Sequence, residues 1–565
     1  MTDPAGPITV GARVVDFLRN EGIDTLVSIC DVSYNTVHRR AVECGMRVIA
    51  PRHEAAGVHM ADALARMTGR PAVAMAGMGP GVANLVPGVV CASVENVPVV
   101  VLVTQRTRST ASAVRRGRFQ FTPQIRLFEP VVKFAAIVEG PRRIDEVLAE
   151  AFRHATTGRP GPVYVEIPQD VVKEEATFPP LCAPNRYRLA PQGATQAAIE
   201  AAAVSLQAAR LPLLIGGTGV HLGRAHAAFR RLAELLGGPV VLTYGGRGVL
   251  PETHPQVLLP LGPGAEACRQ ADCVLAVGTS VGESMGFGKP PQFADEDRQR
   301  WLLVERDPTA IGVNRPVDVP LVGDLRVVLD QLADALASGG ALPTPPQLAE
   351  WRTVQEAFRS AYTAGAPDTV PVHPGRAIVE ARAAIPEDAV IVRDGGSTGL
   401  WEGFCNEQRS TDFLWTSKLG HLGTGLPYAL GAQLAVGPQR RVCLITGDSA
   451  FGFYPMELET AVRHQLPVVV IVNYDQHWGM EHAGQLADIG RLVECRTAPV
   501  RLDGLARALG AHGEFVERTA DVRPAVERAF AAGRPAVVQV VTDARANAYE
   551  APGLDEFGGW YAGNY

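Results

Sequence analysis

The sequence has no apolar run long enough to cross a bilayer, for which roughly 20 residues are needed; the stretches 98–103 and 468–472 are far shorter. Its opening residues, Met-Thr-Asp-Pro-Ala-Gly-Pro, lack the basic and apolar regions of a secretory leader, so a cytoplasmic location with no membrane partner is expected. The nine cysteines include no C-x-x-C pair and no Cys/His spacing suited to zinc. They read as reduced core residues. No basic block large enough to neutralise a run of phosphates is apparent, because 53 Lys and Arg oppose 59 Asp and Glu for a formal net charge of -6. Nucleic acid is therefore not expected as a partner.

What is present is the composition of a protein with buried cores, 47% hydrophobic and 20% charged over 565 residues. That length exceeds what one core organises and points to about three domains. Short Val/Ile/Leu runs alternate with amphipathic stretches from end to end, as in parallel sheets covered by helices on both faces. The fold class is α/β, with three doubly wound parallel-sheet domains. The first is expected at 1–185, with strands at 47–50, 71–76, 97–103 and 163–167 and a helix at 54–67. A Pro- and Ala-rich passage at 177–195 leads to a middle domain at 195–340, with strands at 211–215, 240–243, 274–277 and 302–305. A second linker, Ser-Gly-Gly-Ala-Leu-Pro-Thr-Pro-Pro, precedes a third domain at 365–545, with strands at 389–392, 442–445 and 468–472. The remainder, 546–565, is rich in glycine and aromatics and is expected to dock as a lid. The first and third regions share one rhythm of strand, loop and helix.

Ile445-Thr446-Gly447-Asp448-Ser449-Ala450-Phe451 runs from a strand straight into a Gly-Asp-Ser turn and a helix. Doubly wound sheets bind ligands at the carboxyl ends of their strands, where glycine permits close approach and free backbone N–H groups can hold phosphate oxygens. Asp448 would offer Mg²⁺ a hard carboxylate. After the next strand, Asn473-Tyr474-Asp475-Gln476-His477-Trp478-Gly479 would emerge on the same edge of the sheet. In isolation Gly447-Asp448-Ser449 is equally a turn with a helix cap. Arg52-His53-Glu54-Ala55-Ala56 at a predicted helix start is also bland alone, since a carboxylate there suits the helix dipole.

Together these elements resemble the Gly-Asp-Gly to Asn-Asn signature of the thiamine-diphosphate-dependent superfamily that includes acetolactate synthase and pyruvate decarboxylase. The resemblance implies thiamine diphosphate and Mg²⁺ as cofactors, with the metal held by Asp448, Asp475 and the His477 carbonyl. Asp475 departs from the family, which usually has an amide there, and taking Asn473 as the ligand instead would require a shorter strand. Glu54 matches the Glu that hydrogen-bonds N1′ of the aminopyrimidine and exchanges a proton with it. The Gly-x-Met-Gly element of the family is matched by Gly420-His421-Leu422-Gly423, which implies a Gly420 carbonyl that accepts from the 4′-amino group and a Leu422 that wedges the cofactor into a bent shape. Gly395, Gly396 and Ser397 would meet the diphosphate, as would Gly447, Ser449 and Ala450, with Trp478 lining the pocket. Gln120, in Phe119-Gln120, is implied to touch the substrate, and Glu481 is a candidate proton donor.

The branch is read from local matches. Residues 447–453 and 314–324 resemble oxalyl-CoA decarboxylase and 2-hydroxyacyl-CoA lyase, and Phe119-Gln120 favours the lyase. The expected activity is cleavage of a 2-hydroxyacyl-CoA, with 2-hydroxyisobutyryl-CoA one candidate, to an aldehyde or ketone and formyl-CoA. The alternative is a benzaldehyde lyase or acetolactate synthase-like carboligase or decarboxylase acting on free 2-oxo acids or acyloins, since residues 475–479 look more like benzaldehyde lyase. A third, non-enzymatic option is a nucleotide-binding module built on Gly217-Thr218-Gly219, whose glycine spacing is weak. In relatives the middle domain sometimes holds FAD or ADP; here it either takes ADP or the CoA adenine, with Arg247 or Lys289 at the phosphates, or is an empty structural domain. The resemblance also implies a homodimer or homotetramer with active sites at the subunit interface.

Overall fold

The computed structural model describes residues 6–111 and 114–546. The tail expected as a lid lies outside the described residues. The chain forms two compact units, the first running to Ala190 with Lys418–His421 and Leu430–Ala435, the second containing the rest. Three six-stranded parallel sheets are present, with helices alongside.

In the first sheet, β1 (Thr25–Ser28), β2 (Arg47–Ile49), β3 (Ala72–Ala76), β4 (Val99–Gln105), β5 (Ala135–Ile137) and β6 (Val163–Pro168) lie in the order β2-β1-β3-β4-β6-β5. Every residue of β3 and β4 is buried, which explains their continuous apolar runs: helices cover both faces, so no alternation is needed. The helix α1 (Glu54–Thr68) follows β2, and α2 (Pro80–Glu95) follows β3. Pro80 starts α2 at a position where its missing N–H is no loss.

The middle sheet contains β7 (Pro212–Gly216), β8 (Val240–Leu242), β9 (Val257–Leu258), β10 (Cys273–Val277), β11 (Arg300–Glu305) and β12 (Val319–Val322), ordered β9-β8-β7-β10-β11-β12. Its two faces pack separate cores, one around Leu214, Leu275 and Leu302, the other around Leu213, Val274 and Trp301. A helix that sequence reasoning missed, α3 (Gln347–Gly365), follows the Pro-rich linker and sends Leu348 and Trp351 into the second of these cores.

The third sheet contains β13 (Val390–Arg393), β14 (Phe413–Leu414), β15 (Val442–Gly447), β16 (Val469–Tyr474), β17 (His512–Val516) and β18 (Ala536–Val541). Its order, β14-β13-β15-β16-β18-β17, repeats that of the first sheet strand for strand. The shared rhythm of the first and third regions is therefore a shared topology. The chain passes from β13 outward to β14 and returns to β15 on the other side of β13, so the strand ends of β13 and β15 flank a topological switch point, where α/β sheets bind ligands. Helix α4 (Ser397–Cys405) leaves β13, α5 (Asp448–Phe451) leaves β15, and α6 (Gly479–Ile489) leaves β16.

Six of the nine cysteines are buried, but Cys30 and Cys182 are exposed and Cys44 is half-buried, which corrects the expectation that all are core residues; all nine are free. Among the described residues, no helix is long and apolar enough to cross a membrane.

Candidate active site

In the first unit the site forms at the carboxyl ends of β2, β3 and β4. Glu54 is the first residue of α1, and the His53 side chain caps that helix by accepting from the Ala55 N–H at 3.1 Å. The Asn84 amide of α2 donates to the Glu54 carboxylate at 2.9 Å. Gly81 leaves room for that carboxylate, since a Cβ there would sit 3.2 Å from Glu54 Oε1. Glu54 is half-buried and anchored by an uncharged donor, which leaves its other oxygen able to exchange a proton with a ring nitrogen. Asn84 was not anticipated: a lone Asn thirty residues away carries no sequence signal.

Gln120 is exposed and has φ 53°, a left-handed conformation uncommon for a residue with a side chain. Its carbonyl lies where a Cβ on Gly79 would be, 2.7 Å away, and Gly79 has φ 67°. Only glycine meets both demands. The structure thus lays the Gln120 loop against the turn that carries α2.

A buried polar network beneath this turn was also unanticipated. The Gln124 carbonyl accepts from the Gly79 N–H at 2.7 Å, while its amide donates to the Thr104 carbonyl at 3.0 Å and to Glu166 at 3.4 Å. Glu166 further accepts from Tyr164 at 2.9 Å and Gln105 at 3.1 Å. Burial raises the Glu166 carboxyl above its usual range, and these donors work against that rise.

The second unit brings three strand-end loops together. Gly395 has φ 95°, and a Cβ on it would lie 3.2 Å from the Gly447 nitrogen. A Cβ on Gly479 would lie 2.9 Å from the Ser397 side chain, and one on Gly396 would strike Met480 at 2.4 Å. Asp394 orders this edge from beneath, accepting from the Gly395 N–H at 2.7 Å and the Gly425 N–H at 2.8 Å. Burial pushes its carboxyl up to about 6.

Asp448 opens α5, and its carboxylate accepts from the Ser449 N–H and the Gln476 N–H, each at 2.8 Å. Asp475 stands one residue beyond β16 and accepts from the His477 N–H at 2.8 Å. The Ser449 hydroxyl donates to the His477 carbonyl at 3.0 Å, so Ser449 and His477 meet here with the two carboxylates. Burial, and then the charge of Asp475, pushes the Asp448 carboxyl up to about 7, and burial raises Asp475 as well. Two half-buried carboxylates that each disfavour ionisation are relieved by a cation. Among the described residues no cluster of three or more His, Cys, Asp or Glu side chains could hold a metal. A Mg²⁺ site here therefore needs the His477 carbonyl and phosphate oxygens in addition, and Mg²⁺ takes such a mixed oxygen shell. Asn473 lies within β16, paired to Gly447 in the ladder and 3% exposed, which removes it from this set.

Ala450, in the same helix as Asp448, is buried. Trp478 is half-buried with its ring edge-on to Phe453 at 6.3 Å. Glu481 sits exposed in the first turn of α6. Gly420 has φ 63° and belongs to the unit that carries Glu54, whereas Leu422 belongs to the unit that carries Asp448. Gly423 has φ 88°, and a Cβ there would meet the Phe453 Cβ at 2.4 Å.

The middle domain offers little to phosphates. Arg247 is buried, pairing with Glu252 at 2.7 Å and Glu402 at 2.6 Å, so it is not the phosphate ligand that was expected. Lys289 and Arg315 share a cavity with Asp295, Glu296 and Asp297, whose negative charge opposes a phosphate.

Comparison with known proteins gives three successive matches to the thiamine pyrophosphate enzymes: the N-terminal TPP binding domain at residues 8–126, the central domain at 199–332 and the C-terminal TPP binding domain at 394–540. An acetolactate synthase large subunit of Mycobacterium tuberculosis is 33% identical over 547 residues, covering 96% of this chain and 97% of its own. A second, from Parasynechococcus marenigrum, is 33% identical over 498 residues, covering 84% and 78%. A sulfoacetaldehyde acetyltransferase of Castellaniella defragrans is 28% identical over 554 residues, covering 93% and 90%. With Glu54 and Asp448 at corresponding strand-end edges of two sheets that share one topology, and with these matches along nearly its whole length, the chain belongs to the thiamine pyrophosphate enzyme family.

Proposed function

We propose that the protein is a thiamine-diphosphate- and Mg²⁺-dependent carboligase that takes an acyl group from a free 2-oxo acid and joins it to a second carbonyl compound, as an acetolactate synthase does. The observation that carries the choice of a free acid over an acyl-CoA is the state of the middle-domain cations. Arg247 is consumed by Glu252 and Glu402, and the cavity that holds Lys289 and Arg315 also carries Asp295, Glu296 and Asp297, whose charge opposes the phosphates of CoA. The full-length similarity to acetolactate synthases supports the same reading. The 2-hydroxyacyl-CoA lyase reading retains the local resemblance of residues 447–453 and 314–324 and of Phe119-Gln120.

When bound, thiamine diphosphate supplies a carbon nucleophile for a carbonyl and an electron sink for the charge left behind. The chain's own groups then have separate tasks. Asp448, Asp475 and the His477 carbonyl hold Mg²⁺, and the N–H groups around Gly395, Gly396, Ser397 and Gly447 face the diphosphate. Glu54 holds a proton at N1′ of the aminopyrimidine, fixed in that orientation by Asn84. The Gly420 carbonyl would accept from the aminopyrimidine's amino group, and Leu422 would pack against the cofactor. Gln120 donates to the substrate oxygen, Trp478 lines the pocket, and Glu481 delivers a proton to the product. A cytoplasmic homodimer or homotetramer, with the two half-sites shared between chains, belongs to this proposal.

The test is product identification. Purified protein with both cofactors is given pyruvate, alone and with an acceptor aldehyde, and separately a panel of 2-hydroxyacyl-CoA esters, with products read by mass spectrometry. Carbon dioxide and an acyloin or acetolactate from pyruvate are expected. Release of formyl-CoA from a thioester, with pyruvate untouched, would overturn the proposal.

A further inference from the structure

One segment of the first unit has a charge balance unlike the rest of the chain. Between Glu95 and Glu129 there are six arginines and no aspartate or glutamate, in a protein whose formal net charge is -6. Arg108 is neutralised by Asp170 at 2.8 Å and by Glu174. Arg115 and Arg116 are exposed and have no ion pair among the described residues. Arg106, directly after β4, has a buried Nε without a hydrogen-bond partner among the described residues. Arg118 lies flat on Phe121, 3.3 Å from the ring centroid, beside an exposed Phe119.

The position of these arginines gives the bias its meaning. The segment leaves the sheet at Gln105, whose amide donates to the Thr122 carbonyl at 3.3 Å, and it is pinned again where Gln124 receives the Gly79 N–H. Between those pins it presents Gln120 over Gly79, at the head of the helix whose Asn84 holds Glu54. Both ends of the arm are thus fixed at the edge where the reacting carbonyl is expected. A solvated loop gains nothing from uncompensated like charges held this close together.

We propose that this arm recognises an anionic group remote from the reacting carbonyl, so that the substrate, or the acceptor, is a small acid carrying a second carboxylate. Arginine forks suit a carboxylate bidentately, and Arg115 and Arg116 are adjacent, exposed and without an ion pair among the described residues. The proposal rests on the free-acid carboligase reading, but its test does not depend on turnover.

Holoenzyme is titrated calorimetrically with glutarate and with pentanoate, unreactive acids that differ by one terminal carboxylate. Glutarate should bind at least tenfold more tightly, with the preference shrinking from low to high salt. The double variant R115Q/R116Q should lose the preference, and R115K/R116K should restore part of it. Equal affinities, or a preference unchanged in R115Q/R116Q, would overturn the proposal. So would dissociation of the oligomer in R115Q/R116Q, which would make the arm a contact with a second copy. Coenzyme A is the third titrant: binding through the same two arginines would assign the arm to the phosphates of CoA and would overturn the proposal together with the free-acid reading. A glutarate preference in a protein inert toward 2-oxo acids would likewise sink the carboligase reading alone.

Discussion

Replacing Gln124 with leucine tests whether the buried network positions the catalytic turn. The amide makes three hydrogen bonds, to the Gly79 N–H at 2.7 Å, the Thr104 carbonyl at 3.0 Å and Glu166 at 3.4 Å. Leucine has similar bulk but leaves the Gly79 N–H unpaired in a site where Gln124 itself is 0% exposed. An orphaned buried donor costs about 1–3 kcal/mol, and the partial losses at Thr104 and Glu166 add to it, so a local destabilisation of about 2–4 kcal/mol is expected. Global unfolding of a multidomain chain is not two-state, so the readout must be local. Amide hydrogen exchange of a peptide spanning residues 77–85 should accelerate by about 30-fold or more, the equivalent of about 2 kcal/mol. Turnover should fall by about 10–100-fold, because Gly81 and Asn84, which frame Glu54, ride on the helix that Gly79 begins. Gln124→Glu sharpens the test. It can still accept from Gly79, but its second oxygen then faces the Thr104 carbonyl and Glu166, so its defect should ease in acid as the new carboxyl takes up a proton. Exchange within about threefold of wild type for Gln124→Leu, alongside normal turnover, would refute the positioning role.

Three further outcomes are expected. Glu54→Gln should abolish turnover while thiamine diphosphate still binds, measured by calorimetry; undiminished turnover would remove Glu54 from the chemistry. In metal-free protein the Asp448 carboxyl, raised from 3.8 to about 7, favours folding below about pH 4 and loses that contribution as pH rises through 7. Mg²⁺ should therefore raise the melting temperature more at pH 8 than at pH 6. Asp475→Asn, which removes the second cause of the shift, should narrow that difference, and equal Mg²⁺ shifts at both pH values in the wild type would contradict the ligand assignment. Gly423→Ala combines φ 88° with a Cβ 2.4 Å from the Phe453 Cβ, so it should cost at least about 1–3 kcal/mol and raise the KM for the cofactor; wild-type stability would show the loop to be free to move.

Much of the fold was legible because parallel strands buried on both faces write themselves as apolar runs: the runs at 71–76, 97–103 and 442–445 became β3, β4 and β15 within a few residues. Glu54, Asp448 and Asp475 were legible because each follows a strand in a short, patterned turn. Their supports were not. Asn84, Gln124 and Glu166 lie 30 to 112 residues from Glu54 and are joined to the site only by the sheet, so no local pattern marks them. Helix α3 was hidden behind a Pro-rich run that read as a linker to the third domain. The arginine arm was hidden by averaging, since a chain with balanced totals conceals a segment of thirty-three residues without a single acid.

The repeated strand order has one more consequence. In both sheets the turn at the end of the third strand, Gly77–Gly79 in one and Gly447 leading directly into α5 in the other, occupies the equivalent place beside the reversal of winding. A scaffold present twice can divide its labour, one copy retaining the proton chemistry and the other the cation, and each can drift in sequence without compromising its counterpart's task. Substitutions that retune substrate choice are therefore expected to gather in the copy with the arginines, while those that retune metal preference gather in the other.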